Sequence, residues 1–368
     1  MESTTRDHLI TTTTTTTTIT SLPTALAAAI LLLLTLIALS YILRNTDHDI
    51  RSTLFQLLHK PLSTSEVVSL RIYPIKSCRG FEIDRTTVQM HGLDLDRQWM
   101  FVDATTREFL TIRQIPQMTL INTGLSQDGV FLELSITGAE EPRTVRVPAR
   151  PSPDWLAAHT TLAQVKIWDI YTDGHLYGPE VNDFFSQFLN RAVCLVYKGP
   201  TPRVLRGNGS PKIIGRTQDT YFPDVLPLLI GSEASLAELN SRLTAKGADP
   251  ITIERFRPNI IVRGTVPWEE DSWKLVRFRG SDSARPLDVD VVARCARCQV
   301  PNVNPDTAEK HKHEPWNTLM SYRRVDEGIK YKPCFGMLSV PRNEGEIYVG
   351  MKFEVLNETK QHRYITGF

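Results

Sequence analysis

The chain has 368 residues, with 42 Lys and Arg against 41 Asp and Glu, 41% hydrophobic and 8% aromatic residues. That composition is globular, long enough for about two domains, and excludes a disordered, collagenous or coiled-coil chain. A net charge of +1 with no basic block argues against a nucleic-acid-binding protein, and five cysteines are too few, and odd in number, for a disulfide-stapled secreted domain.

Residues 9–43 carry no charge, and residues 22–43 are almost wholly apolar. At about 1.5 Å per residue they predict one transmembrane helix across roughly 30 Å of hydrocarbon. The Thr run at residues 11–18 makes residues 1–21 a disordered tail, and residues 44–64 read as a linker. Arg44, Arg51 and Lys60 follow the span, against Arg6 before it, which places the large remainder in the cytosol. The rival reading is a cleaved signal peptide. Ala38-Leu39-Ser40 and the sequons at Asn208 and Asn357 support it, whereas Glu2 and Asp7 deny it a positive start.

Apolar runs bounded by Gly, Pro and Asp predict strands at 67–73, 99–102, 130–134, 165–168 and 193–197. Val181, Phe184, Phe185 and Phe188 recur at helical spacing within 179–189. Residues 65–198 therefore read as a β-rich first domain, and 199–215 as a linker or exposed loop. The second domain, 216–360, opens with a strand at 226–230. A helix to about Lys246 follows, capped by the Ser235 and Glu238 pair or by Ser232. Strands at 260–263, 273–278, 287–292 and 347–355 and a helix at 315–323 complete it. Short strands with few helices predict a mainly β, α+β chain built on β-barrels.

Cys295-Ala296-Arg297-Cys298 is the one paired-cysteine motif. His311 and His313 follow, but H-x-H is shorter than zinc-finger spacing and no second C-x-x-C exists. The Pro and Asn residues that follow make a loop where a thioredoxin-type motif would open a helix. What remains is either a soft thiolate flanked by Arg294 and Arg297, or two inert, partly buried cysteines. Lys76, Ser77, Arg97 and Arg113, beside strand ends, have the chemistry to hold a phosphate on a bulky organic cofactor. Arg257 adds a bidentate donor and Asn259 both donates and accepts.

In order, the chain carries Y-P-I-K-S-C-R-G (73–80), D-R-Q-W (96–99), T-I-R-Q (111–114), S-E-A-S-L-A-E-L-N-S-R-L (232–243), F-R-P-N-I (256–260), C-A-R-C (295–298) with N-P-D-T (304–307), and K-P-C-F-G (332–336). This set resembles the MOSC family with its N-terminal β-barrel partner domain, and within it the amidoxime-reducing type, over about residues 65–357. The resemblance implies a MOSC N-terminal β-barrel domain followed by a MOSC β-barrel domain. It implies a molybdenum cofactor (Mo-molybdopterin) with Cys298 as the metal-ligating cysteine. By the same resemblance Lys76, Ser77, Arg97, Arg113, Ser232, Arg257, Asn259 and Arg297 bind the cofactor, Asp306 orients the substrate, and Cys295 and Cys334 are supporting. Pyridoxal phosphate binding is a further family-level property. The implied reaction is reduction of N-hydroxylated compounds with electrons from cytochrome b5 and NADH-cytochrome b5 reductase. The implied place is the mitochondrial outer membrane, with the endoplasmic reticulum as alternative. Where animal members usually carry T-T-V-D-P-D-T-G, this sequence has Pro301-Asn302-Val303-Asn304-Pro305-Asp306-Thr307-Ala308, so the loop beside the metal ligand departs from the pattern. Two other functions stay open: sulfur transfer through a persulfide on Cys298, and non-catalytic molybdopterin carriage.

Overall fold

The computed structural model describes residues 61–139, 143–280 and 285–366, with 32–35 and 37. The tail expected at 1–21, the span expected at 22–43 and the linker at 44–64 lie almost entirely outside the described residues. Among the described residues no helix is long and apolar enough to cross a membrane. The chain divides into two units, Met1–Lys60 and Pro61–Phe368, and the architecture below is that of the second.

Seven strands form its centre: β1 (Ser63–Ile72), β2 (Leu228–Ser232), β3 (Ile260–Val262), β4 (Trp273–Arg279), β5 (Leu287–Ala296), β6 (Cys334–Pro341) and β7 (Lys352–Glu358). They bond in the order β3-β2-β6-β5-β4-β7-β1, and β1 pairs again with β3, so the sheet closes into a ring. Closure leaves no open edge among the seven. Only β2 and β3 run parallel, with Ile230 opposite Ile260; helix Glu233–Ala245 lies in the crossover that a parallel pair requires. Leu70, Ile230, Ile260, Val276, Phe278, Val289, Met337 and Phe353 are at most 1% exposed and belong to one core. Burying such side chains contributes roughly 1.5–3 kcal/mol each.

The first half supplies a four-stranded sheet in the order Trp99–Asp103, Val193–Lys198, Ile170–Leu176, Thr161–Ile167, and a meander of Ile121–Leu125, Phe131–Ile136 and Val145–Pro148. Helix Pro179–Phe188 starts with Pro at its first turn and buries Val181 and Phe185, whose ring lies 5.1 Å from Phe101. The halves interleave, because β1 precedes the first-half sheets yet is a stave of the second-half ring. Gly345–Tyr348 in turn pairs with Arg85–Gln89.

Several sequence expectations change. The stretch expected as a linker or exposed loop at 199–215 is exposed over much of its length but anchored at Arg203, Leu205 and Asn208, which are at most 5% exposed, and Leu205 joins a cluster with Leu229 and Leu338. Asn208 bonds through its amide to Arg363 O, so that sequon is closed in the folded chain. The strand expected at 347–355 is two strands, broken by a turn over residues 349–351. Strand β5 runs four residues beyond its expected end and includes Cys295. The helix is capped by Ser232, whose Oγ accepts from Ser235 N at 3.4 Å, and not by the Ser235–Glu238 pair. Ser235 Oγ instead donates to Glu270 at 2.8 Å, and Glu238 accepts from Trp268 Nε1 and Tyr322 OH.

Candidate active site around Cys298

A cavity of about 190 Å³ is lined by residues of three loops. The first follows β1. There the backbone N–H of Lys76 donates to Trp99 O at 2.8 Å, and Ser77 turns the chain with φ +70°. Gly80 makes the turn possible, since a Cβ there would stand 2.2 Å from Ile72 O. The second loop, Asp96-Arg97, latches to it. Asp96 Oδ1 accepts from Tyr73 N at 2.9 Å and Arg97 N donates to Tyr73 O at 2.9 Å. The third is the 3-10 turn Ile253–Phe256, which ends on Arg257 at φ +58°. Ser77, Arg97 and Arg257 thus all hold left-handed backbone without being glycine, a strain that concentrates at functional sites.

Lys76, Arg97, Arg113, Arg257, Arg297 and Lys332 line the cavity, with Asp224 as the one carboxylate among the lining residues. Lys76 is 5% exposed and donates to Phe222 O at 3.0 Å and to Asp224. Burial pushes its ammonium down to about 8, with Asp224 resisting the shift. Burial opposes ionisation of Asp224, but the charges of Lys76 and Arg113 hold its carboxyl well below the usual range. The guanidiniums of Arg97 and Arg257 lie 4.4 and 4.3 Å from the centre of the Tyr73 ring. Burial and the neighbouring Arg97 push Arg257 down to about 10, with Glu254 acting the other way. Arg257 Nη2 and Arg297 Nε are buried donor atoms with no partner. Arg297 otherwise spans Phe256 O at 2.9 Å and Cys295 Sγ at 3.0 Å.

Cys298 lies two residues past β5 and lines the cavity. Arg113 Nε donates to its Sγ at 3.3 Å, while Nη2 of the same side chain donates to Asp224 at 3.2 Å and the guanidinium lies 4.7 Å from the Trp168 ring centre. Arg113 is thus fixed on three sides, by the Cys298 sulfur, Asp224 and Trp168. Burial pushes the Cys295 thiol up, against the pull of Arg297. Burial likewise pushes Cys334 up to about 12.

Of the residues expected from sequence, Lys76, Ser77, Arg97, Arg113, Arg257, Asn259, Arg297 and Cys298 line this one cavity. Asn259 does so with both ends of its amide engaged by main chain, at Leu229 N (3.2 Å) and Arg71 O (3.3 Å), so it registers β3 against its neighbours. Ser232 is fully buried, caps its helix and does not line the cavity. Asp306 does not line it either. An Asx turn at Asn304 carries it outward, where its 68% exposed side chain pairs with Arg79 at 2.6 Å. The zinc reading also falls. His311 Nδ1 accepts from the backbone of His313 and Glu314, and no group of three or more metal-ligating side chains occurs among the described residues. Sequence reasoning missed Asp224, Lys332 and Tyr364.

Two family profiles match the chain, "MOSC N-terminal beta barrel domain" over residues 64–192 and "MOSC domain" over 217–354. Mitochondrial amidoxime-reducing component 1 of Mus musculus is 32% identical over 294 residues, which cover 77% of this chain and 80% of that protein. The chain belongs to the MOSC family. The Homo sapiens protein of the same name is 31% identical over 293 residues, covering 77% and 81%. A molybdenum cofactor sulfurase of Arabidopsis thaliana is 31% identical over 283 residues, 73% of this chain but 32% of its own length. The donor set suits the molybdenum cofactor implied by this MOSC membership. It offers a soft thiol for a metal, cations for a phosphate, and two unpartnered buried guanidinium atoms for the polar edge of a heterocycle.

Proposed function

We propose that this MOSC protein is a molybdenum-cofactor-dependent oxidoreductase that reduces N-hydroxylated compounds, such as amidoximes and hydroxylamines. The observation that supports it is the cavity itself: a thiol under an arginine, in a basin whose buried cations outnumber its carboxylates and leave donor atoms unpaired. Lys76, Ser77, Arg97, Arg257 and Arg297 would hold the phosphate and pterin, and Cys298 would be the protein ligand to molybdenum. The bound group supplies a two-electron redox couple. Arg113 holds its positive charge against the Cys298 sulfur, and Asp224 keeps Arg113 in place.

In the overall reaction the substrate N–O bond breaks, two electrons and two protons are consumed, and the oxygen leaves as water. Electrons must enter from outside, because the sequence has neither a Gly-rich dinucleotide fingerprint nor a ferredoxin-type cysteine run. We assign that supply to cytochrome b5 and NADH-cytochrome b5 reductase, with one NADH per turnover. The site of action would be the mitochondrial outer membrane, through an anchor at 22–43, with the endoplasmic reticulum as alternative. Two relatives named mitochondrial support this.

The test is molybdenum and pterin content per chain of protein beginning near Arg51, in wild type and Cys298→Ala, followed by benzamidoxime reduction with the two electron-transfer proteins. Near-stoichiometric metal that is lost in the variant, with turnover in wild type, is the expected result. Folded wild type free of metal and pterin would overturn the reading and move the assignment to persulfide chemistry at Cys298, the direction in which the sulfurase relative points. Full loading without turnover would leave a cofactor carrier.

A further inference from the structure

A second hollow, of about 240 Å³, adjoins the Cys298 cavity, and Ile112, Arg113 and Val300 line both. Its remaining walls are Gln299, Val303 and Lys310. Three of the six side chains are aliphatic, two are cationic, and no carboxylate is among them. Lys310 is tied to the hollow rather than swinging free. It forms a bridge with Val303, Asn304 N donates to Glu309 O at 2.8 Å, and Lys310 Nζ donates to Gln299 Oε1 at 2.9 Å. One of the three N–H groups of that ammonium is thereby used, and two are left to donate. The bridge belongs to the loop that departs from the usual family pattern. Asn302, fully buried, clips that loop by donating to His311 O at 3.0 Å and accepting from Trp316 N at 3.0 Å.

We propose that this hollow is the subsite for the organic part of the substrate, and that it selects N-hydroxylated compounds with an apolar body bearing an anionic group. The inference rests on the reductase reading and deepens it. Arg113 ties the two spaces together, because it touches the Cys298 sulfur on one side and lines the hollow on the other. A substrate reaching toward Cys298 from this side lays its body against Ile112, Val300 and Val303, and its far end meets Lys310. An apolar body alone uses only the aliphatic wall and leaves the exposed Lys310 ammonium facing water and Gln299; a carboxylate at the far end adds a charge-assisted hydrogen bond to it.

The experiment compares 4-carboxybenzamidoxime with the neutral 4-methylbenzamidoxime in cofactor-loaded wild type, Lys310→Gln and Lys310→Arg, together with titration calorimetry of both compounds. Wild type is expected to favour the carboxylate by about tenfold in kcat/KM. In Lys310→Gln that ratio falls toward one, with the loss in KM, and Lys310→Arg restores most of it. A wild-type ratio at or below one, or a ratio unmoved in Lys310→Gln, would overturn the proposal. Should neither compound be reduced by fully loaded protein, the reductase reading fails, and calorimetry then decides the subsite. Weaker carboxylate binding in Lys310→Gln than in wild type upholds it, and equal binding overturns it.

Discussion

Asp224 carries more of the cavity than its place in a Pro-bounded loop suggests. Its two oxygens take up Lys76 on one side and Arg113 on the other, so it neutralises a buried ammonium and braces the guanidinium that touches Cys298. Removing one partner of a fully buried pair costs about 3–5 kcal/mol, but the Asp224 side chain is still 41% exposed, and solvent screens part of that. Asp224→Asn is therefore expected to destabilise the chain by about 1–2 kcal/mol, read from the urea midpoint, and to loosen cofactor retention at the same time. A midpoint shift within a few tenths of a kcal/mol would show that water already does the work of the carboxylate. The residue was not legible in the sequence, because an acidic side chain after Phe222-Pro223 has the pattern of an ordinary turn. Lys76 and Arg97 were legible as cations near small residues at strand ends, whereas Arg257 and Arg297 joined them through the family resemblance. Ser232 was ambiguous for a physical reason: a serine opening a helix suits both an anion and a cap, and its Oγ accepts from Ser235 N. That Tyr73 lies under both Arg97 and Arg257 depends on three segments far apart in sequence, which no local pattern encodes.

The helix Glu233–Ala245 and the turn Glu269–Ser272 meet at a buried carboxyl. Glu270 is fully buried, takes one hydrogen bond from Ser235, and leaves its Oε1 without a partner. Burial pushes it from 4.5 up to about 7, against the pull of Ser235 and of Arg323. Between those values the folded chain keeps a proton that the unfolded chain has released, so stability falls as pH rises through that window and stays reduced above it. Glu270→Gln keeps an acceptor for Ser235 and has no proton to lose. Its stabilisation over wild type should be small at pH 5 and reach up to about 3 kcal/mol at pH 8. Melting temperatures of the pair at the two pH values check this, and a difference that does not grow with pH would sink it. Elements in this region were unevenly legible. The helix was found because it has a cap and apolar spacing. Strand β6 escaped because all eight of its residues are buried, so it has no polar alternation to betray it, and its Gly336 reads as a break. Gly336 in fact sits at φ +75°, where a Cβ would come within 2.8 Å of Ile230 O.

At the scale of the whole unit, the two matched family segments do not correspond to two separable folds. The ring that positions Cys298 is completed by β1, which lies in the segment matched by the N-terminal profile, and β1 bonds to β3 on one side and β7 on the other. Val67, Leu70 and Ile72 on that strand are at most 1% exposed. Without it the second half has two unpaired strand edges and loses roughly 1.5–3 kcal/mol for each of those apolar side chains, enough to cancel most of a typical domain's stability. The sequence could not show this, because strand pairing across the length of the chain leaves no local trace, and the run at 67–73 looks like the start of a first domain. A chain of residues 200–368 is therefore expected to fail to fold, whereas residues 61–368 should unfold in one cooperative transition. Adding back a peptide of residues 61–80 should recover part of the native circular dichroism of the shorter chain. A stable, cooperative 200–368 fragment with a native-like β spectrum would mean that the ring closes without β1, and that the interleaving serves only to align Lys76 and Ser77 with the Cys298 cavity.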